Sequence, residues 1–148
     1  MLTVGTEWLI EASGCDAGAL GDVGRLREVF ARAVGELGLR AVGEAMWHKF
    51  PGAGGVTGLL MLSESHLACH TYPEFGAATF NLYCCRERPG WDWEARLGEL
   101  LGARQVRVRS FTRELNVNAA AGGAKASPSF GTAAAGASAP EAARGGGA

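Results

Sequence analysis

The chain lacks a surplus of charge of either sign. Fourteen Lys and Arg stand against fifteen Asp and Glu in 148 residues, a formal net charge of -1. Neutralising phosphates takes a basic excess, so nucleic acid is not an expected partner. No apolar run approaches the ~20 residues of a membrane-spanning helix. Met1-Leu2-Thr3-Val4-Gly5 carries no basic leader region, so no secretory signal is expected. The cysteines, Cys15, Cys69, Cys84 and Cys85, include an adjacent pair, and a chain that is 47% hydrophobic can bury a core without staples. Reduced thiols and a cytoplasmic location follow as expectations. His66 and His70 lie near Cys69, Cys84 and Cys85, but the paired spacings of structural zinc are missing, so no metal is expected. The nucleophile-elbow pattern Gly-x-Ser-x-Gly is also absent.

What is present reads as one α+β domain. Val4, Trp8, Leu9 and Ile10 mark a first strand over 3–13. Asp22 can cap a helix whose apolar positions Val23, Leu26, Phe30, Ala33, Val34 and Leu37 recur with a 3.6 period, and Gly38 stops it. A second strand is predicted over 40–50, a flexible loop over 51–55 and a buried third strand over 56–62. After Gly76 comes a strand over 77–85, with Phe80, Leu82 and Cys84 on one face and Asn81, Tyr83 and Cys85 on the other. Asp92 can cap a second helix with the stripe Trp93, Leu97, Leu100 and Leu101. A last strand over 105–115 alternates Val106 and Val108 with Arg107 and Arg109, reading as a solvated face together with Arg113. Two helices among five or six strands predict a mainly antiparallel sheet with both helices packed on one face. Residues 1–117 form this domain. Residues 118–148, rich in Ala, Gly, Ser and Pro, cannot bury enough surface to fold and are expected to be a disordered tail.

One stretch departs from core composition. Positions 63–74 hold Ser63, Glu64, Ser65, His66, Cys69, His70 and Glu74 beside an apolar run, and polar groups at that density point to chemistry. Ser65, between Glu64 and His66, could attack a substrate carbonyl with histidine as base. It could instead add to its own preceding carbonyl. That turns amide into ester, and elimination with hydrolysis then leaves a pyruvoyl group, a built-in electrophile.

Glu64-Ser65-His66, His70-Thr71-Tyr72-Pro73-Glu74, His48-Lys49-Phe50 with Gly55-Val56-Thr57-Gly58, and Cys85 twenty places beyond Ser65, together resemble the S-adenosylmethionine decarboxylase proenzyme family in its short prokaryotic form. The resemblance runs from about Gly5 to about Arg113 and is densest from His48 to Cys85. It implies an enzyme, a pyruvoyl-dependent carboxy-lyase that cuts itself between Glu64 and Ser65 and uses the resulting covalent pyruvoyl group, with no pyridoxal phosphate and no metal. The implied product is decarboxylated S-adenosylmethionine, the aminopropyl donor of spermidine and polyamine biosynthesis. By the same resemblance His70 moves protons during processing, Thr57 assists it, and Cys85 returns a proton to the product carbon. Phe50 stacks on adenine and Glu74 takes the ribose hydroxyls. A small-molecule substrate and a homodimer of cleaved protomers are implied, the sites lying near the subunit boundary.

The chain departs from the family pattern at several places. Glu7 stands where a histidine is usual, Asn81 where an aspartate is, Cys84 for Thr, Arg86 for Gly, Tyr72 for Trp and Glu114 for Gly. These changes fall around the pocket, which makes Glu7 and Asn81 candidate substrate contacts. They keep open arginine or ornithine as substrate, with Glu7 pairing a cationic side chain, and a non-catalytic paralogue that binds a metabolite or a partner subunit.

Overall fold

Alternation along the first strand decides the layering. In the computed structural model, which describes residues 1–117, strand β1 (Leu2–Ser13) buries Trp8, Ile10 and Ala12 and leaves Glu7, Leu9 and Glu11 half-buried between them. The same period-2 pattern recurs in β3 (Val56–Leu62), β4 (Ser65–Tyr72) and β5 (Ala77–Cys84). With β2 (Met46–Lys49) and β6 (Gln105–Leu115) these strands make one antiparallel sheet in the order β2-β3-β4-β5-β1-β6.

The helices cover a single face. Asp22 caps α2 (Val23–Glu36) by accepting from the amides of Gly24 and Arg25, and Asp92 caps α3 (Trp93–Leu101) by accepting from Ala95. Their buried stripes, Leu26, Val29, Phe30 and Ala33 on one and Trp93, Leu97, Leu100 and Leu101 on the other, lie over the buried strand residues. Phe30 meets Trp47 with ring centroids 4.9 Å apart, and Phe80 meets Trp93 at 5.8 Å. Trp47 has room because Gly58 stands opposite it, where a Cβ would collide with the indole. The two-layer α+β architecture is therefore the expected one.

Three local differences have physical causes. A third helix, α1 (Ala17–Leu20), is only four residues long, too short to show a period, and forms because Asp16 accepts from the amide of Ala19 at 2.7 Å. The strand expected over 40–50 shrinks to Met46–Lys49, because Gly43 takes φ +75° and interrupts it, leaving Ala41 in an isolated bridge to Leu62. The strand expected to reach Cys85 stops at Cys84. The expectation for residues 118–148 lies outside the described residues.

Thr71 pins the far end of β4. Its buried hydroxyl accepts from the Val56 amide at 2.8 Å and donates to the Leu20 carbonyl at 2.8 Å, tying β3, β4 and α1 together. Losing both bonds would strand a buried donor and a buried acceptor, at about 2 kcal/mol.

Candidate active site

Strands β3 and β4 are joined by two residues, Ser63 and Glu64, with Leu62 opposite Ser65. Loops this short favour Gly, Asn or Asp, because their central positions need positive φ. Neither residue here suits that geometry, and the distortion falls on the next one. Ser65 has φ 153°, and among the described residues it is the one non-glycine with positive φ. Holding a serine in a region that glycine occupies freely costs about 1–3 kcal/mol.

The bond that precedes this serine is held at both ends. The backbone N–H of Cys85 donates to the Glu64 carbonyl oxygen at 2.9 Å, drawing electron density off the carbon that a Ser65 attack would reach. Glu64 is buried, 7% exposed, which is rare for a residue bearing a carboxylate. It accepts from the Arg88 guanidinium at 3.3 Å, the Arg40 amide at 3.3 Å and the Ser63 hydroxyl at 2.9 Å. Gly5 lets β1 approach this corner, since a Cβ there would lie 2.9 Å from the Cys85 Cα. Of the cysteines, Cys85 alone is exposed. Burial pushes the Cys69 thiol up to about 12, and burial, with the nearby Glu64 charge adding to it, pushes Cys84 up to about 11. Those two lie in the core beneath the helices, which leaves Cys85 as the thiol available to a substrate.

A chain of polar contacts leaves Ser65 along the open face of the sheet. Ser65 Oγ lies 3.1 Å from His66 Nδ1, His66 Nε2 lies 3.0 Å from Asn81 Oδ1, and Asn81 Nδ2 donates to Glu7 at 2.9 Å. Arg113 closes it with an ion pair to Glu7 and stands over the Tyr83 ring, 5.4 Å from its centroid. Asn81 first, and Arg113 after it, hold the Glu7 carboxyl below its usual range, against the opposing effect of desolvation. Glu7 and Asn81, expected as substrate contacts, thus direct their polar groups at each other, at His66 and at Arg113. Arg109 pairs with Glu11 in the same way, so Arg109 and Arg113 are not simply solvated, whereas Arg107 is exposed as expected. Beside Ser65 and His66 opens a cleft of about 590 Å³, walled by Val42, Glu44, Met46, Leu59 and Met61.

The remaining expected site residues gather elsewhere. Thr57 Oγ1 lies 2.6 Å from His70 Nδ1, and the His70 ring is flanked by Phe50 at 5.5 Å and Tyr72 at 4.5 Å. Glu74 follows, exposed, on the single 3-10 turn Pro73–Phe75. His70 is five residues from Ser65 on an extended strand, about 17 Å along it at ~3.3 Å per residue. The chain therefore carries two clusters of expected site residues, toward opposite ends of β4.

The family profile for S-adenosylmethionine decarboxylase matches residues 6–114. The chain belongs to that family. Similar proteins include the S-adenosylmethionine decarboxylase proenzymes of Pelotomaculum thermopropionicum, 36% identical over 114 residues (76% of this chain, 89% of the relative), and Moorella thermoacetica, 36% identical (76% and 90%). Among solved structures, the adenosylmethionine decarboxylase of Aquifex aeolicus superposes with a TM-score of 0.64 at 26% identity, covering 78% of this chain and 94% of that one. The Pelotomaculum and Moorella relatives both carry the name proenzyme.

Arg88 and Arg113 were not among the residues expected at the site, and His66 stood in the expected stretch without a role of its own. His66 could have been found from its place next to Ser65 on a strand with Asn81 two strand positions from Tyr83, but only once the register of β4 against β5 was known.

The strain account makes a stability prediction. Ser65→Gly and Ser65→Ala both remove the hydroxyl and stay uncut, and urea unfolding should find the glycine chain more stable by about 1 kcal/mol, strain relief exceeding the added chain entropy. An alanine chain as stable as the glycine chain would mean that Ser65 is not strained.

Proposed function

We propose that this chain is a proenzyme that cuts itself between Glu64 and Ser65 and then decarboxylates S-adenosylmethionine, using a pyruvoyl group made from Ser65. The observation that carries the reading is the Glu64–Ser65 bond itself, with positive φ on the serine and the Cys85 amide on the scissile carbonyl. Pyruvoyl supplies a ketone for the substrate amine and a neighbouring amide that accepts the electrons released with carbon dioxide. The residues present suit such a group: it would head β4 at the mouth of the cleft, and planar carbon at position 65 has no φ strain to hold. Cys85, exposed and one residue past β5, would return a proton to the product carbon. Phe50 offers a half-exposed ring for a purine face, and Glu74 a carboxylate for sugar hydroxyls. His70, with Thr57 bonded to its ring, would move protons in processing.

Those last four residues lie too far from Ser65 to serve it within one protomer. A homodimer supplies them. Helices cover one face of the sheet, whereas the other carries the exposed side chains of Met46, Leu59, Met61 and Phe111 around the polar chain. Two such faces stacked in opposite directions would set the His70 end of one β4 against the Ser65 end of the other. An unpaired, exposed Cys85 acting as an acid also suits the reducing cytoplasm.

The arginine and ornithine alternatives needed a free carboxylate at Glu7. Arg113 and Asn81 already engage it, which removes the feature that favoured them. Incubating the purified protein with S-adenosylmethionine, arginine and ornithine in parallel should release carbon dioxide from the first alone. Release from arginine or ornithine only would reject the substrate assignment. The shared site has its own test: Ser65→Ala and His70→Ala chains, each inactive, should recover cleavage of the His70→Ala chain when co-expressed, and no recovery would place both half-sites' work in one protomer.

A further inference from the structure

We propose that His66 is the base that takes the hydroxyl proton of Ser65 in the first, ester-forming step of self-cleavage, and that Asn81 and Glu7 are positioning residues that fix its tautomer. The inference rests on the processing described above and assigns a step within it.

The hydrogen-bond chain has one consistent reading. Arg113 is a donor only, so Glu7 is its ionised acceptor. A carboxylate has no proton to give, and so the group of Asn81 that faces it is the NH2. The same NH2 also reaches the Trp8 carbonyl, at 3.4 Å, another acceptor. Asn81 therefore turns its carbonyl oxygen to His66, and an acceptor there requires the proton on Nε2. Nδ1 is left with a bare lone pair facing the Ser65 hydroxyl at 3.1 Å. Each link is set by the one before it, from a guanidinium on β6 to a serine on β4. Serine, histidine and asparagine in this order make a nucleophile, a base and an orienting group. The fourth part is the Cys85 amide on the Glu64 carbonyl, where negative charge would develop.

The step balances within the chain. The Ser65 O–H bond breaks and its proton passes to His66 Nδ1, while Oγ forms a bond to the Glu64 carbonyl carbon. The carbonyl oxygen carries the charge against the Cys85 N–H. When that intermediate collapses, the bond from the Glu64 carbon to the Ser65 nitrogen breaks, and the nitrogen takes the proton back from the imidazolium. An amide has become an ester with a free amine, and His66 is regenerated. His70, which the second protomer of the proposed dimer would supply, is left for steps that follow the ester.

The charged and titratable groups facing His66 are Tyr83 on β5, Glu7 on β1, Arg113 on β6 behind Glu7, and Glu44 across the cleft; Met61 opposite it on β3 does not titrate.

The test times cleavage of precursor made by cell-free translation, on gels with and without hydroxylamine, which cuts esters and spares amides. Wild-type chain should cleave. His66→Ala should cleave at least ~100-fold more slowly, should yield no fragments on treatment with hydroxylamine because the ester has not formed, and should recover with imidazole in the buffer. Asn81→Leu should slow cleavage, whereas Asn81→Asp keeps an acceptor for Nε2 and should restore it. If His66→Ala cleaves at the wild-type rate, or accumulates a hydroxylamine-sensitive ester, His66 is not the base, and self-processing stands without it. If wild-type chain does not cleave at all, the processing account itself falls.

Discussion

The buried carboxylate of Glu64 is the constraint on which the site depends. Without a fixed anchor, a two-residue hairpin of Ser and Glu would relax toward an ordinary turn, and Ser65 would leave its positive φ. Arg88, the Arg40 amide and the Ser63 hydroxyl give that anchor from three directions. Arg88 is a quarter exposed and Glu64 is not, so the pair is neither a loose surface contact nor fully desolvated. Removing the arginine would leave a carboxylate in the interior with too few donors, which is costly. The Cys85 amide then finds the Glu64 carbonyl because the side chain of the same residue is tied down. Strain is thus placed at one peptide bond by its neighbours.

The sheet separates support from chemistry. Its inner face is apolar and lies against α2 and α3, which are themselves joined across their exposed sides by Arg32 to Glu99 and Arg96 to Glu36. Its outer face carries the polar chain from Arg113 to Ser65 and, at the other end of β4, the cluster around His70. Period-2 alternation makes this division automatic, since His66, Ala68 and His70 point one way and Leu67, Cys69 and Thr71 the other. A rigid, covered sheet holds each contact of the open face in register, which loops would not do.

Much of this was legible in the sequence, and the residues that were not share a reason. Helix α2 was readable because its period, its Asp22 cap and its Gly38 stop agree, and β5 because Phe80, Leu82 and Cys84 alternate cleanly with Asn81 and Tyr83. Helix α1 is shorter than any period. The strand over 40–50 is shorter than expected because Gly43 takes a positive φ, which the pattern of its neighbours does not announce. Ser65, Glu64 and Cys85 stood out as residue types in a pattern, and they do meet. That His70, Thr57, Phe50 and Glu74 stand apart from them follows only from β4 being extended from Ser65 to Tyr72, which spacing alone does not reveal. Glu7 and Arg113 are 106 positions apart, and their pairing is a property of the β1 and β6 register.

Intact mass of the purified protein bears most directly on the account, because strain, anchor and carbonyl contact all converge on one bond. Two polypeptides are expected, one ending at Glu64 and one beginning at position 65 with its serine converted to a pyruvoyl group and no free amine. A single unbroken chain of 148 residues, under conditions that allow processing, would contradict it.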